Sequence, residues 1–93
     1  MKRGRRTRQR YDVTYPVEMV TPQGIMRGRA RNVSVTGAFI CCAEPLIPGE
    51  VFKLTIKFPF GPPMKLSAQV VWSNASDPDD ETTPRGMGVC FVW

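Results

Sequence analysis

Residues 51–72 read VFKLTIKFPFGPPMKLSAQVVW, and this stretch decides the fold class. Phe52, Leu54, Ile56 and Phe58 share one parity while Lys53, Thr55 and Lys57 take the other. That is the period-two pattern of a strand with one face in a core and the other in water. Phe60-Gly61-Pro62-Pro63 is turn chemistry, after which Met64, Leu66, Ala68, Val70 and Trp72 alternate with Lys65, Ser67, Gln69 and then Ser73. Two such runs around a short turn predict an antiparallel hairpin.

The same period extends to both sides of the hairpin. Residues 11–20 read as a strand weakened by Pro16, whose missing N–H favours an edge position or a bulge. Thr21-Pro22-Gln23-Gly24 is a turn, and residues 25–31 alternate with Arg27, Arg29 and Arg31 on one face and Met26, Gly28 and Ala30 on the other. Gly28 in that run signals a bend or a close backbone approach. A bend at 32–37 leads to a short apolar strand at 38–43, and Pro45 and Pro48-Gly49 punctuate the connection to Val51. Residues 73–85 are polar, with Asp77, Asp79, Asp80 and Glu81 beside two prolines, and read as an exposed loop. Residues 86–92 close the series with Met87, Val89 and Phe91 on one face. No dozen residues keep a helical stripe, so the prediction is all-β: six short strands in an antiparallel barrel or sandwich, closure removing the edges a small sheet exposes.

A chain of 93 residues, 42% hydrophobic and 23% charged, supports one core. No apolar run reaches the roughly 18 residues of a membrane span, and no apolar segment follows the basic N-terminus as in a secretory signal. The expected location is the cytoplasm. The three cysteines, Cys41, Cys42 and Cys90, form no C-x-x-C pair, and there is no histidine. Neither a zinc site nor a disulfide framework is expected, and the cysteines read as small hydrophobes in or near the core. Without histidine the commonest general base is missing, so a non-enzymatic role without cofactor is expected.

Charge is unevenly placed. Lys2, Arg3, Arg5, Arg6, Arg8 and Arg10 give the first ten residues +6, and the other 83 residues, with seven basic and eight acidic groups, carry −1. The organisation expected is therefore a flexible basic arm at 1–10 on a nearly neutral barrel at 11–93. Arginine's planar fork of donors suits phosphate oxygens and the O6/N7 edge of guanine.

Two elements carry chemistry. Arg6-Thr7-Arg8-Gln9-Arg10 is an R-x-x-x-R element with Arg5 directly before it, and Asn32-Val33-Ser34-Val35-Thr36-Gly37 is an N-x-S-x-x-G element at a strand-to-strand bend. Each alone has a local explanation: an Arg-rich tail, and Asn, Ser and Gly serving a turn. Together, and followed by Val71-Trp72 and Gly86-Met87-Gly88-Val89-Cys90-Phe91, they resemble the PilZ family of bacterial cyclic di-GMP receptors over nearly the whole chain. The second glycine that family members often carry is replaced by Ala38.

The resemblance implies a six-stranded antiparallel barrel of PilZ type whose N-terminal arm folds over its surface to enclose cyclic di-GMP. It places ligand-binding roles on Arg6, Arg10, Asn32, Ser34 and Gly37. Arg5 matches the variant that captures two stacked ligand molecules. In such a site the arginines fork onto phosphates and guanine edges, the Asn32 amide accepts from a guanine amino group, Ser34 bonds either way, and Gly37 leaves the ligand unobstructed. The signal would pass to an unidentified downstream protein. Arg27, Arg29 and Arg31 are expected to be a solvated stripe, Trp72, Tyr11 and Tyr15 core or rim residues, and Gly86, Gly88 and Phe91 core or turn residues. Two rival readings remain: a PilZ-like protein-interaction module without ligand, and a barrel that binds single-stranded nucleic acid, the latter disfavoured by the near-neutral body.

Overall fold

In the computed structural model of the chain, which describes residues 13–75 and 85–93, six strands follow one another: β1 (Tyr15–Thr21), β2 (Gly24–Arg31), β3 (Gly37–Cys41), β4 (Val51–Ile56), β5 (Met64–Ser73) and β6 (Gly86–Val92). They close into an antiparallel barrel in the order β1–β2–β3–β6–β5–β4, with β4 pairing back onto β1. No helix occurs among the described residues, and hence none long and apolar enough to cross a membrane. The predicted hairpin is the β4–β5 pair, in register from Val51 opposite Gln69 to Ile56 opposite Met64.

Alternation delivers the core. Phe52, Leu54 and Ile56 from β4 meet Val17 and Met19 from β1, Ala30, Ile40, Ala68 and Val70 from the intervening strands, and Met87, Val89 and Phe91 from β6. Leu46, in the β3–β4 connection, joins this core, and its N–H donates to the Met87 sulfur at 3.4 Å. Gly28 is the close approach its sequence context suggests, because a Cβ there would run into the carbonyl of Cys41.

Four expectations are corrected. Pro16 lies on no free edge, since β1 is paired on both sides. It sits one residue into the strand, just before the β4 ladder begins at Val17 opposite Ile56, and its carbonyl accepts from the Lys57 N–H at 2.9 Å. The alternation of β5 slips at a bulge between Val70 and Trp72, which turns both Val71 and Trp72 outward and leaves Trp72 48% exposed. Strand β3 stops at Cys41, and the Cys42 N–H donates to the Arg85 carbonyl at 3.1 Å. The cysteines do not behave alike: Cys42 packs partly against the core, while Cys90 falls on the outward parity of β6 and is exposed. Burial, reinforced by Cys41 next to it, pushes the Cys42 thiol up from 9.0 to about 11. No group of His, Cys, Asp and Glu among the described residues is placed to hold a metal.

Candidate functional site

The turn between β2 and β3 is built by its own polar residues. Asn32 follows β2 at φ 55°, the only non-glycine residue at positive φ among those described, and asparagine is among the few side chains that enter this region at low cost. Ser34 then closes the loop. Its N–H donates to the Gly37 carbonyl at 2.9 Å, and its hydroxyl oxygen accepts from the N–H groups of Thr36 at 3.2 Å and Gly37 at 3.4 Å. The same hydroxyl lies 3.1 Å from Thr36 Oγ1.

Strand β6 fixes this turn from behind. The Phe91 N–H donates to the Thr36 carbonyl at 2.8 Å, and the Trp93 indole Nε1–H donates to the Val35 carbonyl at 3.2 Å. The Trp93 ring meets Phe91 edge-on with centroids 5.9 Å apart. Gly37 is needed for packing: it is buried, is absent from the positive-φ residues, and has room for no Cβ because the Val89 carbonyl occupies that space. Gly37 is thus committed to packing, while the ligand-facing roles expected of Asn32 and Ser34 concern side chains that both lie at the surface. Ser34 and Gly37 hold the turn; Asn32 and Ser34 are both exposed, and the Asn32 amide makes no hydrogen bond among the described residues.

Arg5, Arg6 and Arg10 lie outside the described residues, as does Tyr11. Their point of attachment is inside. Tyr15 pairs with Ala30, two residues before Asn32, which sets the first described part of β1 about 7 Å along the strand from the turn. Arg10 is five residues before Tyr15, so its backbone is held within about 17 Å of that point. The root is tied down by Arg29 Nε, which donates to Thr14 Oγ1 at 2.8 Å. Tyr15 is a rim residue, as expected, edge-on to Phe58 with centroids 4.8 Å apart.

The arginine stripe is not uniform. Arg27 pairs with Glu18 at 3.1 Å and Arg29 holds Thr14, whereas Arg31, partly buried and nearest the turn, makes no ion pair or hydrogen bond among the described residues. Stagger of the barrel places Arg31 opposite Phe39, Phe39 opposite Gly88, and Gly88 opposite Trp72. One outer row thus carries a cation and two aromatic rings, with Phe39 and Trp72 5.9 Å apart and tilted by 41°. Gly86 is buried, where a Cβ would run into the Ile40 carbonyl, and Gly88 lies in the outer row between Phe39 and Trp72. The Phe39 ring lies where a Gly86 Cβ would come within 2.7 Å of it. The sequence placed Arg31 in a solvated stripe and did not single out Phe39, for which the outward parity of β3, from Gly37 through Phe39 to Cys41, was the available signal.

The arrangement offers an exposed amide, a guanidinium without a partner among the described residues and a pair of rings around one fixed turn, with a strongly cationic segment attached to β1. Such a surface suits a planar, anionic ligand with hydrogen-bonding edges. The family model described as PilZ domain matches residues 4–93, nearly the entire chain. No curated protein matches it.

Proposed function

We propose that this chain, which belongs to the PilZ domain family, is a non-catalytic cytoplasmic receptor module that binds cyclic di-GMP and orders its arginine arm over the barrel in doing so. The observation that supports this most is the division of labour at the β2–β3 turn. Ser34, Gly37, Phe91 and Trp93 immobilise a loop whose one uncommitted polar side chain, Asn32, stands beside the attachment point of the arm.

In this reading the ligand's two phosphates and two guanines are shared between arm and barrel. Arg6 and Arg10 fork onto phosphate oxygens and guanine O6/N7 edges, and Arg5 extends the arm's grip to a second stacked ligand molecule. Asn32 accepts from a guanine amino group, the exposed Ser34 hydroxyl bonds the ligand either way, and Gly37 keeps the turn packed against β6. Arg31 adds a cation from the barrel, and its neighbours Phe39 and Trp72 bound the same surface. Six like charges in the first ten residues repel one another until phosphates are bound among them. Binding energy available only in the closed arrangement drives the shift, and a downstream protein reads the new surface made by arm and ligand.

Thermal unfolding tests the proposal. Cyclic di-GMP at about 100 times its Kd should stabilise the chain by about 2.7 kcal/mol. That is a rise in Tm on the order of 10 °C or more for a domain of this size. An unchanged Tm at saturating cyclic di-GMP would refute it.

A further inference from the structure

The β4–β5 hairpin ends in a surface that ligand binding at the turn does not use. Residues 57–65 read KFPFGPPMK. Seven successive residues, Phe58 to Met64, have no polar side chain, and Pro59, Phe60, Gly61, Pro62 and Pro63 are all exposed. Phe60 is 87% exposed, the most exposed large hydrophobic residue among those described. Glycine and proline are ordinary turn residues, so it is the exposed Phe60 ring at their centre that needs a reason.

Three features of the apex point to the same environment. Prolines at 59, 62 and 63 remove three backbone N–H donors, which lowers the cost of taking this backbone out of water. Lys57 and Lys65 bracket the apex, Lys53 follows on the outward parity of β4, and residues 51–74 contain no acid. The base of the apex is stiff: Lys57 bonds Pro16, the Tyr15 and Phe58 rings meet edge-on, and Gly61 makes the turn at φ 78°. A protruding ring on a stiff turn inside a cationic collar is shaped for an apolar interior that lies beneath an anionic surface. We propose that the Phe60 apex docks on an anionic bilayer, the ring entering the headgroup boundary while Lys57, Lys65 and Lys53 meet lipid phosphates.

The test is partition of the full chain onto phosphatidylcholine vesicles with and without phosphatidylglycerol. Because the arginine arm also attracts anionic lipid, the decisive variants act at the apex. Phe60→Ser leaves the net charge unchanged and should weaken partition about tenfold; Lys57→Gln and Lys65→Gln should each weaken it about fivefold. In Phe60→Trp the added indole emission, read against the parent protein with its Trp72 and Trp93, should shift to shorter wavelength on anionic vesicles and be quenched by brominated lipid. Full partition by Phe60→Ser, an unshifted and unquenched Phe60→Trp, or failure of the parent protein to bind anionic vesicles each overturns the proposal. A protein found to protect Phe60 in the last case would mean that the apex serves a protein partner instead.

Discussion

Replacing Gly37 by alanine separates two explanations of the same glycine. If the residue exists to clear space for a ligand, alanine leaves the unliganded barrel intact and harms only binding. The packing says otherwise, since a Cβ at Gly37 coincides with the Val89 carbonyl oxygen and presses on Val89 C at 3.2 Å and Cys90 Cα at 3.4 Å, all of them backbone. No side chain can swing aside, so β3 and β6 must separate where Gly37 opposes Cys90. Overpacking of this kind costs about 1–3 kcal/mol; with backbone as the obstacle the upper half applies, about 2–3 kcal/mol, or a fall in Tm of about 8–24 °C. Urea unfolding of the unliganded protein should show a lower midpoint at an unchanged m-value. Gly88→Ala is the control: its nearest contact is Trp72 Cβ at 3.9 Å, and a shift within about 0.5 kcal/mol is expected. Unaltered stability of unliganded Gly37→Ala, with binding lost, would refute the packing account.

Asn32 should divide backbone from amide: Asn32→Gly keeps the φ of 55° and loses ligand affinity with little change in stability, whereas Asn32→Val forces a β-branched residue into the left-handed region and costs about 1–3 kcal/mol in urea unfolding. Arg10→Lys keeps the charge and loses the fork, so binding measured by calorimetry should weaken by about 1–3 kcal/mol. Arg27→Lys, at an exposed residue paired with Glu18, should change binding little, and equal losses at 10 and 27 would point to plain electrostatics. Thiol titration at neutral pH should modify Cys90 readily and spare Cys42, whose thiol lies at about 11. Because folding raises the Cys42 value above its ordinary 9.0, its neutral form contributes stability that is fully present below about 9 and declines as pH rises towards 11; a constant unfolding midpoint across that window would contradict this.

How far the molecule is legible from its residues depends on what each pattern encodes. The β4 parity, Phe52, Leu54 and Ile56 against Lys53 and Thr55, carries directly into the barrel because one face is buried and a one-residue slip would turn every side chain over. Trp72 breaks the same rule because a bulge is a local insertion that leaves no trace in alternation. Pro16 misleads because closure of β1 onto β4 is a long-range event that no local pattern records. At the turn, the residue types Asn32, Ser34 and Gly37 announce a special backbone. That Gly37 is packed away while Asn32 and Ser34 stay exposed depends on the approach of Val89, more than fifty residues along the chain. Arg31 and Phe39 stay hidden for a similar reason, since the row joining them to Trp72 exists only once the strands are staggered.

Isothermal titration of the intact chain with cyclic di-GMP tests most directly that arm and turn grip one ligand. Saturable binding with two ligand molecules per chain is predicted, reduced in both Arg10→Lys and Asn32→Gly, with losses in the double variant smaller than the sum of the two. Absence of binding heat, or displacement of bound ligand by unrelated single-stranded RNA, would contradict it.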